Sequence, residues 1–175
     1  MSPAVYGAIG EKWAQLGGEG GFLGAPVTDE TGTPDGVGRF NHFAGGSIYW
    51  TPETGAHEVH GVIRDLWANM GWERSFLGYP VTDETPTPDG VGRFNHFQGG
   101  SIYWTPQTGA HEVHGAIRDE WARMGWETSR LRYPIRDERG MSDGQGRYSE
   151  SQGGTIVWTP EGGPDVRLSG AQRID

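Results

Sequence analysis

The chain repeats itself three times at a period of 54 residues, and this limits its fold more than any other feature. GAIGEKW (Gly7 to Trp13), GVIRDLW (Gly61 to Trp67) and GAIRDEW (Gly115 to Trp121) are in register with LGAP, LGYP and LRYP, which begin at Leu23, Leu77 and Leu131. The same offset relates the Asp-Gly pairs at Asp35, Asp89 and Asp143, and the IYW, IYW and IVW triplets at Ile48, Ile102 and Ile156. Such self-similarity implies a series of like units, each completed by its neighbours. The units run 7–60, 61–114 and 115–168, with 169–175 as a tail, all within a single repeat domain, 1–175. Over 27–61 and 81–115 the first two differ only at Gly32/Pro86, Ala44/Gln98 and Glu53/Gln107, so they fold alike in like surroundings. The third keeps the framework, changes the decoration and reads as an end unit.

Each unit predicts one short helix and one β-hairpin. Ile63, Trp67 and Met70 form a single apolar stripe on a helix, as do Ile9, Trp13 and Leu16, and Ile117, Trp121 and Met124. Ten residues of helix have little stability alone, so the tryptophans are expected to pack as core. The L-G-x-P motif is a bend in which Gly24 or Gly78 takes a positive φ and the proline sets the exit. Arg132 stands at this place in the third copy, so either the bend does not need a left-handed residue or that copy is built differently. Asp35-Gly36 and Gly45-Gly46 mark turns around two strands, Val37 to Phe43 and Ser47 to Trp50. Alternation places Arg39, Asn41 and Phe43 on one face, and Phe40 and His42 on the other. Ile48 and Trp50 share a face opposite Tyr49, but the register between the strands stays open. The HEVH segment that follows is extended and is a candidate for the seam between units. The fold class is an α+β tandem repeat.

Composition excludes several functions. An apolar fraction of 34% with 31 glycines suggests disorder, but eight Trp, six Tyr and six Phe supply enough ring area for small cores. The net charge of -9, without a basic run, argues against nucleic acid as a partner. No apolar stretch is long enough to span a membrane, and MSPAVYGAIG shows no secretion signal. The histidines of HEVH are three apart, not four, and lack an evident third ligand, so no metal is expected. Asp29, Glu30 and Asp35 do not have the spacing of a calcium loop. With no nucleophile in a recognisable setting, the chain is expected to be non-catalytic and to need no cofactor. Near-identical tandem copies suit multivalent binding instead.

Residues common to all three copies, including Trp50, Trp104 and Trp158, read as framework. Those confined to the first two are the candidates for a ligand. Aromatic, imidazole and amide groups suit a polyhydroxylated solute, which singles out Asn41, His42 and Tyr49, joined by Arg39 from the shared framework, with Asn95, His96, Tyr103 and Arg93 as a second, near-equivalent site. In the alternative reading Asn and His merely cap the hairpin and Phe43 fills the seam. The third copy is also rich in arginine, with Arg130, Arg132, Arg136 and Arg139 around its bend. That suggests docking on an acidic surface, and the open ends of a three-unit array admit closure as a homo-oligomer.

The helix Ile and Trp, the L-G-x-P bend, the D-G and G-G turns, the I-Y-W triplet and the T-G-A-H-x-V-x-G-x-I run together resemble the LGFP repeat of actinobacterial secreted and envelope proteins. The likeness covers nearly the whole chain and is weaker in the third copy. It implies modules around a pseudo-rotational axis in a propeller-like or prism-like arrangement. It also implies a lectin-like or wall-binding role at the cell envelope, with glycan or envelope polysaccharide as partner. The competing function is a structural or protein-interaction module without glycan affinity.

Overall fold

The computed structural model of the chain describes residues 3–169. Helix, bend and turns fall where the sequence places them, but each hairpin is the centre of a four-stranded antiparallel sheet. The first module has α1 (Gly7–Gln15), β1 (Thr31–Gly32), β2 (Arg39–Phe43), β3 (Gly46–Thr51) and β4 (Gly55–His60). The second has α2 (Gly61–Met70), β5 (Thr85–Pro86), β6 (Arg93–Phe97), β7 (Gly100–Thr105) and β8 (Gly109–His114). The third has α3 (Gly115–Met124), β9 (Arg139–Gly140), β10 (Arg147–Ser151), β11 (Gly154–Thr159) and β12 (Gly163–Leu168). Strands in each sheet pair in chain order. The strands missing from the hairpin expectation are the two-residue β1 and the GAHEVH run of β4.

Compactness does not follow the repeat boundaries. The chain divides into one unit of Met1–Thr85 with Asn95–Gln98, and another of Pro86–Phe94 with Gly99–Asp175.

In the first unit, β2 and β3 pair Arg39 with Trp50, Asn41 with Ile48, Phe40 with Tyr49 and His42 with Ser47. Directly opposed residues share a face, which resolves the open register into two surfaces. One carries Arg39, Asn41, Phe43, Ile48 and Trp50 and meets α1, where Ile9, Leu23, Phe43 and Ile48 form a core flanked by Trp13, Leu16 and Trp50. The other carries Phe40, His42, Ser47 and Tyr49 and meets α2, the helix of the next repeat. Tyr49 stacks on Phe40 at 4.9 Å and on Trp72 at 5.9 Å, and meets Trp67 edge-on at 4.7 Å. Trp67 is fully buried, lies 5.3 Å from Phe97 and donates its indole N–H to the Gly78 carbonyl.

Polar groups fix this seam. The Tyr79 hydroxyl donates to Asp35 Oδ2 at 2.8 Å and lies 2.8 Å from Thr33 Oγ1. Arg64 donates from Nε to Ser47 Oγ at 2.7 Å while its guanidinium sits 5.0 Å over the Trp72 ring. The second unit repeats the set: Tyr103 meets Trp121, Trp126 and Phe94, Tyr133 donates to Asp89, and Arg118 lies over Trp126. Its core joins Tyr103 and Val113 to Ile117, Trp121, Leu131 and Ile156.

The two ends of the array lack this chemistry. Gly10, Gly18 and Ala25 stand where α2 and its bend carry Arg64, Trp72 and Tyr79. Met141, Glu150, Thr155 and Val157 stand where the first module carries Thr33, His42, Ser47 and Tyr49. Much of the third copy's changed decoration therefore falls on seam positions.

The bend keeps one conformation throughout, with φ of 72° at Gly24, 69° at Gly78 and 62° at Arg132. It does require a left-handed residue, and Arg132 holds that conformation under strain. Arg132→Gly is accordingly expected to raise stability by about 1 kcal/mol in urea unfolding. Trp67→Ala should cost about 3–5 kcal/mol. Trp13→Ala, at a partly exposed ring, should cost about half as much.

Candidate functional site

The sheet face that meets α1 is not covered to its end. Arg39 and Trp50 form the last opposed pair of β2 and β3, and Arg39 is flanked on β1 by Gly32, which has no side chain. The guanidinium turns to Glu30, donating from Nε to Oε2 at 2.6 Å. α1 begins with Gly7 at φ 61°, and no side chain caps it. A Cβ on Gly7 would meet nothing within 4 Å, so the helix starts facing open space. Tyr6, Gly7, Ala8, Ile9, Glu30, Arg39 and Trp50 line a groove of about 200 Å³.

The third module builds the same groove, of about 170 Å³, from His114, Gly115, Ala116, Ile117, Glu138, Arg147 and Trp158. Arg147 again opposes the tryptophan across the strands and donates to Glu138 Oε2, at 2.7 Å. α3 likewise starts on a left-handed, uncapped glycine, Gly115. The chief difference in kind is Tyr6 against His114. In the second copy the corresponding positions hold His60, Gly61, Val62, Ile63, Glu84, Arg93 and Trp104.

Chemically, the groove offers an aromatic face, guanidinium donors, a carboxylate acceptor and the positive end of a helix. It contains no nucleophile beside a base. Among the described residues no three His, Cys, Asp or Glu side chains are grouped to hold a metal ion. The HEVH histidines instead serve separate partners: His57 Nδ1 lies 3.1 Å from Asp83, while His60 Nδ1 lies 2.7 Å from Glu58.

Of the residues expected to contact a ligand, Arg39 lines the groove and Arg93 holds the same register position. The others lie elsewhere. Asn41 is fully buried, donating from Nδ2 to the carbonyls of Ala4 and Thr28, and Asn95 does the same to Glu58 and Thr82. Tyr49 and Tyr103 are 3% and 2% exposed, and burial pushes both phenols far above their usual range. His42 sits in the seam, 2.7 Å from Ser47 Oγ and 5.1 Å from the Trp72 ring, and burial followed by Arg64 lowers its pKa. The His96 backbone N–H donates to Thr82 Oγ1 at 3.0 Å, and its ring is half-buried. Asparagine and tyrosine are thus fastening and packing groups, because their strand positions face a neighbouring segment rather than solvent. Trp50 and Trp158, read from sequence as framework, are only half-buried and line the grooves. Glu30 was missed too; its signal was the Glu-Arg-Trp set repeated in every copy.

The LGFP repeat family matches residues 23–75, 77–129 and 131–172. No curated protein is detectably similar to the chain.

His114 links the third groove to the buried acids behind it. Its Nδ1 lies 2.8 Å from Glu112 and its Nε2 3.3 Å from Glu138, which also holds Arg147. Burial alone would lower the imidazole pKa, but the hydrogen bond to Glu112 and the charges of both glutamates outweigh it and raise it. A histidine raised above its unfolded value of about 6.5 adds stability that is complete below that pH and is lost as pH rises through the folded value. The stability advantage of the chain over a His114→Gln variant should therefore shrink between about pH 6 and 8. Urea unfolding of both proteins across that range checks this. Taking the difference cancels the opposite contribution of His42, whose lowered pKa favours the fold as pH rises.

Proposed function

We propose, on the premise that the chain belongs to the LGFP repeat family, that it is a non-catalytic glycan-binding protein of the cell envelope whose contacts lie in the Arg-Glu-Trp grooves. The observation that carries this reading is the recurrence of one groove in the first and third modules, position for position, with Tyr6 exchanged for His114. Each is below the roughly 300–1,000 Å³ typical of drug-sized pockets and suits a single sugar ring. The tryptophan gives a face for the ring's C–H groups, while Arg and the helix start donate and Glu accepts. Pairing of Arg39 with Glu30 leaves the floor close to neutral, so a polyanion would meet the carboxylate and a cation the guanidinium. A neutral saccharide meets neither penalty.

The contact residues in this reading are Glu30, Arg39 and Trp50, then Glu138, Arg147 and Trp158. Asn41, His42, Tyr49, Asn95, His96 and Tyr103 act indirectly, by holding the strands that carry these contacts. Weak sites on one chain gain avidity on a polymer, which fits a wall polysaccharide better than a free sugar. Extracytoplasmic placement follows from that ligand. No helix among the described residues is long and apolar enough to cross a membrane. A second reading, a protein partner, is favoured by the exposed Phe22 and Phe76, which occupy equivalent positions in the first two copies.

Titration with a neutral wall polysaccharide such as an arabinogalactan, followed by tryptophan fluorescence, tests the proposal. Saturable binding is expected, and Trp50→Ala combined with Trp158→Ala should weaken it by about tenfold or more through lost avidity. Failure of every neutral envelope polysaccharide to bind would overturn the glycan reading in favour of a protein partner.

A further inference from the structure

Resting on that reading, we infer that the first and third grooves are not equivalent, and that Glu30 makes the first one the principal site for a ligand that donates a hydroxyl. Glu30 Oε2 is taken by Arg39, but among the described residues no group donates to its Oε1. That carboxylate side chain is only 7% exposed and forms part of the groove lining. In the third module both oxygens of the counterpart are engaged. Glu138 Oε2 is held by Arg147 and lies 3.3 Å from His114 Nε2, and Oε1 accepts the His114 backbone N–H at 3.3 Å. Two neighbouring positions differ as well. Tyr6 stands in place of His114, and Ala4 in place of Glu112, the residue that holds His114 by its other ring nitrogen.

A buried carboxylate oxygen without a donor is costly, and a ligand that supplies one recovers that cost on binding. The donor is a hydroxyl rather than an ammonium, because Arg39 and the helix start place positive charge around the same space. The groove that Glu30 lines also offers the Trp50 and Tyr6 rings, so the ligand is a neutral polyol ring with one apolar face. In the third groove the same ring could stack on Trp158 but would find no free acceptor on Glu138.

The test follows the indole N–H signals of Trp50 and Trp158 by NMR, assigned with Trp→Phe variants, during titration with methyl glycosides of galactose and arabinose. The Trp50 signal is expected to saturate at a concentration about tenfold lower than that of Trp158, the effect of one recovered charged hydrogen bond. Glu30→Gln removes the carboxylate acceptor: the Trp50 midpoint should rise about tenfold while that of Trp158 stays in place. Glu138→Gln, at a carboxylate whose oxygens are both engaged, should leave the Trp50 midpoint unchanged and gives a second measure should the first variant fail to fold. Equal midpoints in the unaltered chain, or an unequal pair that survives Glu30→Gln, would overturn the inference and leave the glycan reading intact. If neither signal moves with any glycoside, the glycan reading itself fails.

Discussion

The structure depends on a tryptophan that belongs to one repeat and finishes the core of the one before it. Trp67 lies edge-on to Tyr49 of β3 and also touches Phe97 of β6, and its helix is too short to persist unpacked. The outer face of the first sheet is correspondingly aromatic, Phe40 and Tyr49, because the next helix covers it. Trp72 shows how strongly the contact is held. A bulky residue at φ 58° is disfavoured, yet here it lies between Tyr49 and the guanidinium of Arg64. Strain at such a position persists only when the surroundings over-determine it.

This packing also decides where a groove can exist. Ile9 and Trp13 cover the inner face of the first sheet only as far as the helix extends, and the helix starts at a glycine whose left-handed φ leaves no side chain over Trp50. The Arg39-Trp50 pair stands at the uncovered end because of strand register. A slip of one residue would turn both into the seam and bring Phe40 and Tyr49 to the groove. Asn41 helps to prevent such a slip by tying β2 to two carbonyls on separate segments.

The period, the helix stripe, the bend and both turns were legible in sequence, since each rests on local spacing. Register was not, because it is set by packing of Tyr49 against a helix whose contact lies outside the hairpin. β1 and β4 were missed as sheet members for the same reason: Thr31-Gly32 has no pattern of its own and GAHEVH reads only as extended. The site was legible in Arg39 and not in its companions. Comparing copies suggested that residues absent from the third are free for function, but Tyr49 and His42 pack in the seam, and their replacements in the third copy, Val157 and Glu150, stand at seam positions. Glu30 and Trp50, present in every copy, looked like framework for the complementary reason.

Groove and seam use opposite faces of the same two strands, so each can change without the other. The third module shows this: on its outer face Tyr148, Glu150 and Val157 replace Phe40, His42 and Tyr49, while its inner face keeps Arg147, Trp158 and Glu138. The inner set is therefore not kept for the seam. Nor does stability give a strong reason to keep it, since a half-buried ring contributes only part of its area and an ion pair with a largely exposed arginine contributes little. What the three residues do together is shape a near-neutral recess that begins at an uncapped helix, and that recess persists where the rest of the repeat has been rewritten.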